Sequence, residues 1–223
     1  MKDDKPSFGD TKFPPAEPAK APPAQLAEPS ESAKLAQEVA DYCKNLTTQL
    51  PAEIIEILLA SDSGRESRQL HIMDAEGRIA AHTGKDCVDW CGHLAGDGFS
   101  IAGNMLVGGA VLEDTAKAYV ADASLPFAQR LLAAMRAGEA AGGDKRGKQS
   151  AALLIHEEEE WSALDLRVDD HTDPLSELER LERVSRERWV HFRKFLPTRQ
   201  NPAGIFDRAT IDAGIEAALA GDK

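Results

Sequence analysis

An asparagine follows a short apolar segment that ends in a glycine. The run from Gly98 to Leu106 predicts a strand, Asn104 lies near its end, and Gly108 and Gly109 come soon after. A side-chain amide at a strand end can donate to a developing oxyanion or anchor a substrate. An asparagine can equally cap a turn through its own side chain. Both interpretations of Asn104 stay open on the sequence alone.

A glycine- and charge-rich segment, 141–150, precedes an apolar strand. It lacks the spacing of a phosphate-binding loop, and it leads into a strand where such a loop leads into a helix. Arg146 carries a fork of donors that suits an anionic or amide ligand, and Asp144 and Ser150 stand on the same segment. The alternative is an ordinary helix-to-strand turn in which Asp144 pairs with Arg146.

Two further groups of residues have the composition of metal ligands. Cys87, Cys91 and His93 could offer three soft ligands to zinc or iron, but a structural site needs a fourth and no second pair of cysteines exists. The run 169–171 is acidic and ends in a histidine, but Pro174 follows closely, which favours a capping turn before a helix. We expect no metal and no cofactor. The sequence also contains no catalytic triad, nucleophile elbow or dinucleotide fingerprint.

The segments around these residues show two spacings of apolar residues, one typical of helices and one typical of strands. Apolar residues at helical spacing and turn residues between them predict helices over 30–48, 51–60, 113–121, 126–140, 174–195 and 207–219. Alternating patterns and glycine-containing turns predict strands over 68–74, 78–83, 98–106, 150–155 and 164–168, including two hairpins. Hairpins and helices in this order are typical of an α+β fold, in which helices pack on sheet faces.

The long helix predicted over 174–195 has one apolar stripe and one charged face. The stripe consists of Leu175, Leu178, Leu181 and Val184. Glutamates and arginines three and four residues apart are expected to pair with each other in solvent. These residues are Glu177, Glu179, Glu182, Arg180, Arg183 and Arg186.

Composition excludes several classes of partner. The 223 residues carry a formal net charge of −12, which argues against nucleic acid and against an anionic membrane surface. The chain has three cysteines and no apolar run long enough to cross a bilayer, so we expect a cytoplasmic protein. Residues 1–29 hold seven of the twelve prolines and predict a disordered tail. We expect a domain over 30–172 and a helical appendage over 173–223.

Five segments together resemble one bacterial family. They are 62–70, 83–93, 98–106, 142–154 and 164–171, in which the glycine-aspartate run that leads into Ser-Ala-Ala-Leu is the most specific part. The chain from about residue 50 to 172 resembles the domain-of-unknown-function family numbered 1028. Residues 174–219 resemble a tail that some members carry and that is labelled peptidoglycan-binding. The resemblance implies a four-layer α-β-β-α sandwich similar to N-terminal-nucleophile hydrolases, which cleave amides with a Ser, Thr or Cys at the chain start.

The chain departs from that family at its beginning. It opens with Lys2 and a proline-rich tail, and no apolar strand precedes Arg68. We therefore expect the first central strands and the nucleophile to be missing, so that a sheet edge is exposed and amide hydrolysis is lost or impaired. The alternative is a non-catalytic binding or assembly module.

The same site and the same kinds of ligand are expected whether the chain is an impaired hydrolase or a binding module. It consists of Asn104, Asp144, Arg146 and Ser150, with His93 nearby. Its ligand would be a small-molecule amide or a cell-wall fragment. The sequence leaves homo-oligomerisation open.

Overall fold

The computed structural model describes residues 50–121 and 123–221. These residues contain six α-helices and three antiparallel hairpins, so the predicted α+β class is confirmed. The predicted tail over 1–29 and the predicted helix over 30–48 lie outside the described residues.

The helices agree with the sequence pattern except at one position. The predicted helix over 174–195 is wrong beyond residue 187, because Arg188 leaves helical geometry with φ −148° and ψ −49°. The chain turns there, and the indole Nε1 of Trp189 donates to the carbonyl of Ala163 at 3.2 Å. The helices are α1 (Pro51–Ser61), α2 (Ala110–Ala121), α3 (Phe127–Ala140), α4 (Pro174–Glu187), α5 (Trp189–Phe192) and α6 (Arg208–Gly221). Two 3-10 turns, Arg65–Ser67 and Arg193–Phe195, complete the helical elements of the described residues.

The strands form three separate hairpins. They are β1 (Gln69–Met73) with β2 (Ile79–Thr83), β3 (Gly92–Gly96) with β4 (Phe99–Gly103), and β5 (Ala151–Ile155) with β6 (Leu164–Val168). The sequence analysis missed β3, because a strand that begins and ends in glycine and contains alanine has a weak strand propensity. The predicted strand over 98–106 is shorter than expected, so Asn104 directly follows β4.

Every strand in the described part of the chain is an edge strand, because each sheet has only two strands. The four-layer sandwich of N-terminal-nucleophile hydrolases therefore stays a prediction. The expectation that a sheet edge is left without a partner likewise stays a prediction.

The main hydrophobic core joins α3, α4 and the third hairpin. Its buried members are Leu132, Leu153, Leu164, Val168 and Leu178. Alternation along β5 and β6 places Leu153, Leu164 and Val168 on the face that meets the helices, whereas Leu154 lies exposed on the other face. Leu178 is completely buried, and it stands in the stripe that the sequence predicts.

The charged face of α4 differs from the sequence prediction. Val184 is 43% exposed and so does not belong to the packing stripe. Glu182 is buried, and its carboxylate pairs with Arg186 at 3.1 Å. Glu179 pairs with Arg136 of α3 at 2.7 Å, so this face is partly an interface between two helices and not only a solvated, self-paired surface.

Candidate functional site

A cleft of about 730 Å³ opens between β4, the start of β5 and three helices. Ile101 and Ala102 of β4 line one side, and Ser150 and Ala151 line the other. The helices supply an apolar floor that consists of Val111, Leu112, Met135 and Leu175, together with Leu106 from the segment after β4. The size and the mixture of apolar floor and few polar groups are typical of a small-ligand site.

At the polar end of the cleft, the carboxylate of Asp144 holds the side chain of Arg146. Asp144 accepts hydrogen bonds from the Arg146 main-chain nitrogen at 2.8 Å, from Nε at 2.9 Å and from Nη2 at 2.6 Å. The side-chain bond from Arg146 is the largest cause that lowers the pKa of Asp144 to about 2. Arg146 is thereby held in one orientation, and its Nη1 makes no hydrogen bond within the described residues. A fixed, exposed guanidinium of this kind can receive an anion or an amide oxygen.

The main chain brings the segment after β4 to this loop. Leu106 and Asp144 form an isolated antiparallel bridge, Val107 donates to the carbonyl of Gly143 at 3.1 Å, and Lys145 donates to that of Met105 at 2.8 Å. Gly142 has φ +117°, and a Cβ there would lie 2.3 Å from a methyl group of Val107. The glycine pair is therefore required where the loop crosses this segment.

Paired charges line the rim of the cleft beside the Asp144 loop. Lys148 Nζ lies 3.2 Å from Glu139 and 3.5 Å from Asp173, and Arg136 lies 3.6 Å from Asp173. A hydrogen bond from the hydroxyl of Ser176 is the main cause that lowers the pKa of Asp173 to about 2. Within the described residues, Lys148 and Arg136 each contact two carboxylates, whereas Arg146 contacts one and keeps the donors of Nη1.

A second cluster of polar side chains lies between the first two hairpins, outside the cleft. We call it the polar layer; its members are Gln69, His71, Thr83, His93, Ser100 and Asn104. The Gln69 amide nitrogen lies 3.1 Å from Thr83 Oγ1, 3.0 Å from the carbonyl of Gly92 and 3.1 Å from that of Gly103. One side chain of β1 thus ties both hairpins together.

Two histidines meet in the polar layer. His93 Nδ1 is 2.8 Å from Thr83 Oγ1, His71 Nδ1 is hydrogen-bonded to Ser100 Oγ, and the two rings lie edge to face with centroids 5.8 Å apart. His71 Nε2 is buried and has no partner within the described residues. Burial, and secondarily the charge of His93, lowers the pKa of His71. The lowered pKa favours the neutral imidazole, which is hydrogen-bonded to Ser100, but no group of the described residues is hydrogen-bonded to Nε2 as an orienting partner.

The structure divides the residues that the sequence singles out. Asp144, Arg146 and Ser150 line the cleft, whereas the side chains of Asn104 and His93 belong to the polar layer. Sequence reasoning missed Gln69 and His71, although two polar residues at alternate positions of an apolar strand indicate a polar sheet face.

Cys87 and Cys91, the two described cysteines, lie close together without a further metal-ligand side chain placed to complete a site around them. The Cys91 thiol lies 3.7 Å from the carbonyl of Cys87, and both thiols are free. Burial is the largest cause that raises the pKa of Cys91. Among the described residues, no group of three or more His, Cys, Asp and Glu side chains is placed to hold a metal ion.

Comparisons with known proteins give the family. The family model described as "Family of unknown function (DUF1028)" matches residues 31–178. The crystal structure of protein SPO2555 from Silicibacter pomeroyi, which carries the same family name, is 33% identical with a TM-score of 0.63; the match covers 72% of this chain and 69% of that one. No curated protein matches the chain. Within the described residues, no helix combines the length and the apolar character needed to cross a bilayer.

The family model covers more than half of the chain, and the solved structure agrees with it in sequence and in fold. This chain therefore belongs to DUF1028, a family of unknown function.

Proposed function

We propose that this chain is a non-catalytic binding module, related in fold to amide hydrolases, whose cleft takes a small amide-containing ligand. The observation that carries the proposal is that Asp144, Arg146 and Ser150 meet in one cleft above an apolar floor. Apolar surface supplies affinity, and the few polar groups fix the orientation of the ligand.

The chemistry of the cleft favours binding over hydrolysis. An activated nucleophile needs a base within hydrogen-bond reach. Ser150 makes no hydrogen bond to a histidine or a carboxylate in the described part of the chain. The hydroxyl–imidazole pairs Ser100–His71 and Thr83–His93 lie in the polar layer, away from the cleft. The Ser150 hydroxyl is therefore a hydrogen-bonding group for the ligand.

The experiment pairs binding with turnover on the full chain. N-acetyl-alanine and N-acetyl-alaninamide are titrated while amide resonances are followed by NMR, and the same samples are assayed for released alanine or ammonia. We expect shifts at Arg146, Ser150 and the floor residues, and no product. Product that increases with protein concentration would make the chain a hydrolase, whereas unchanged cleft resonances with both compounds would refute binding.

A hollow of about 300 Å³ favours cell-wall fragments as a second ligand class. It is lined by Glu157, Glu158, Glu159, Trp161, Ala163 and Arg193. The indole of Trp161 donates to the carbonyl of Pro197 at 3.1 Å, which ties the hollow to the helical C-terminal part. An aromatic face beside carboxylates can hold a sugar ring.

A soluble muropeptide titrated against wild type and Trp161→Ala tests the second ligand class. We expect binding that the variant abolishes, with retained folding shown by circular dichroism. Equal binding by both proteins would exclude the hollow.

A further inference from the structure

We propose that the ligand of the cleft is an extended peptide that adds to the edges of β4 and β5 and ends in a free carboxylate held by Arg146. This inference rests on the proposed function of the cleft and specifies the class of its ligand. Three features carry it: the way the strands border the cleft, the direction of the main chain before β5, and the free donors of Arg146.

The two strands meet the cleft through their edges. Neighbouring residues of a strand point to opposite faces of a sheet. Ile101 and Ala102 are neighbours and both line the cleft, as do Ser150 and Ala151, and no residue of β3 or β6 lines it. Neighbours of β4 that share one cavity place the cleft at the edge of that strand, on the side without a strand partner in the described chain, and Ser150 and Ala151 place it beside the start of β5.

The main chain before β5 directs polar groups toward the cleft. The carbonyl of Gln149 accepts from the main-chain nitrogen of His171 at 2.9 Å, on the side of β6. Main-chain groups of successive residues alternate in direction along a strand. Lys148 and Ser150 therefore direct their amides to the opposite side, where the described main chain offers them no partner. Such unpaired groups are the template that β-augmentation uses.

Arg146 stands at the beginning of this edge and supplies charge complementarity. Its side chain is 65% exposed, and Asp144 fixes it through Nε and Nη2. The remaining donors on Nη1 match one terminal carboxylate, whereas Lys148 already contacts two carboxylates. A peptide lying along 148–151 would thus end at Arg146.

The apolar floor of the cleft determines which side chains of a bound peptide fit. An added strand turns alternate side chains toward the helices, where Val111, Leu112 and Met135 form an apolar surface. Small and β-branched apolar residues suit that surface, so N-acetyl-Val-Ala-Val-Ala with a free carboxylate is the appropriate peptide for a test.

The experiment compares four ligands by calorimetry and NMR on the full chain. They are N-acetyl-Val-Ala-Val-Ala, its C-terminal amide, and two versions N-methylated at one or the other of two adjacent central amides. We expect the amide to bind at least about tenfold more weakly, the size of one lost charge-assisted hydrogen bond. One N-methylated peptide should bind at least about tenfold more weakly, and the other should bind with nearly unchanged affinity, since only alternate amides face the strand edge.

Two arginine variants provide a matched comparison. Arg146→Ala should bind the acid and the amide equally. Arg167→Ala should keep the full preference for the acid, because Arg167 is 67% exposed and pairs with Asp169 at 2.9 Å in the same i,i+2 manner, yet does not line the cleft. Equal loss of the preference in both variants would overturn the role of Arg146.

The outcomes separate this inference from the proposed function. If N-acetyl-alanine shifts the cleft resonances and the tetrapeptide binds no better, the cleft is a ligand site but the peptide inference is wrong. Equal affinity of both N-methyl peptides would refute strand addition. If the chain dimerises through residues 101–102 and 150–151 and the peptide does not dissociate the dimer, a second copy is the occupant and the inference is overturned. Unchanged cleft resonances with every ligand would refute both proposals.

Discussion

The side-chain amide of Asn104 donates to Oε1 of Gln69 at 3.2 Å, from the end of β4 to the first residue of β1. The contact uses the group that could otherwise have anchored a ligand. Asn104 does not line the cleft, and its side chain bonds to Gln69 and not to its own turn, so its expected role as a ligand anchor stays a prediction.

Removing the Gln69 side chain should destabilise the protein more than removing that of Asn104. Gln69→Ala removes the side-chain donor that contacts the carbonyls of Gly92 and Gly103 and joins the two hairpins, and we expect a loss of about 1–3 kcal/mol in the free energy of unfolding. Asn104→Ala removes one exposed contact and should cost less than about 1 kcal/mol. Urea unfolding measures both, and a larger effect of Asn104→Ala would contradict the polar layer as described.

The protein should lose stability as the pH falls below 6.5 because of His71. The pKa of His71 in the folded state lies below its ordinary value of 6.5, so the unfolded chain binds more protons between the folded pKa and 6.5. The contribution is fully present above 6.5 and decreases as the pH falls toward the folded pKa. Unfolding curves between pH 5 and 8 should show this slope, and His71→Gln should reduce it. His82→Gln, from the other face of the hairpin, is the control, and an equal change in both variants would argue against His71.

The Asp144–Arg146 pair should survive mild acid. The pKa of Asp144 is lowered from 3.8 to about 2, so the stabilisation is present above pH 3.8 and is lost only as the pH falls through about 2. Binding of the tetrapeptide to Arg146 should therefore not change through protonation of Asp144 between pH 8 and 5. Asp144→Asn should weaken binding at every pH in this range, as measured by calorimetry. Unchanged binding by Asp144→Asn would show that Arg146 needs no fixed orientation.

Arg136 and Glu179 should be coupled across α3 and α4. Arg136 Nε and Nη2 donate to the two carboxylate oxygens of Glu179 at 2.7 and 2.9 Å, and both side chains are about two-thirds buried. A double-mutant cycle with alanine should give a coupling of roughly 1 kcal/mol. The comparable pair Arg180–Glu177 lies within α4 and its arginine is more exposed, so its cycle should give a smaller value. Equal couplings would mean that the contact between helices adds nothing.

Two positions of the α4 stripe should respond differently to truncation. Leu178→Ala should cost about 2–5 kcal/mol, because Leu178 is completely buried in the main core. Val184→Ala should change the free energy of unfolding by less than about 0.5 kcal/mol, because the side chain is 43% exposed. Thermal unfolding of both variants checks this. Similar losses of stability in the two variants would mean that Val184 packs in the stripe as the sequence predicts.

Short-range patterns determined most of the described elements. The glycine turn between β1 and β2 has φ +77° at Gly77, and Asp173 caps α4 ahead of Pro174, as the residue types predict. The pairing of Asp144 with Arg146 also follows from the sequence, because two residues in one turn can meet without help from distant parts of the chain. These features depend on local geometry, which a few neighbouring residues fix.

Long-range packing decided the rest. Alternation in β1 places Gln69 and His71 on one face, but only the approach of the β3–β4 hairpin decides that this face is covered and that Asn104 and His93 join it. The break at Arg188 likewise depends on the contact of Trp189 with Ala163, which lies 26 residues away along the chain. The sequence by itself determined the local elements and the ion pair, because their partners are close in the chain. The tertiary structure alone decided which polar residues share the cleft, because that depends on how separate hairpins and helices pack.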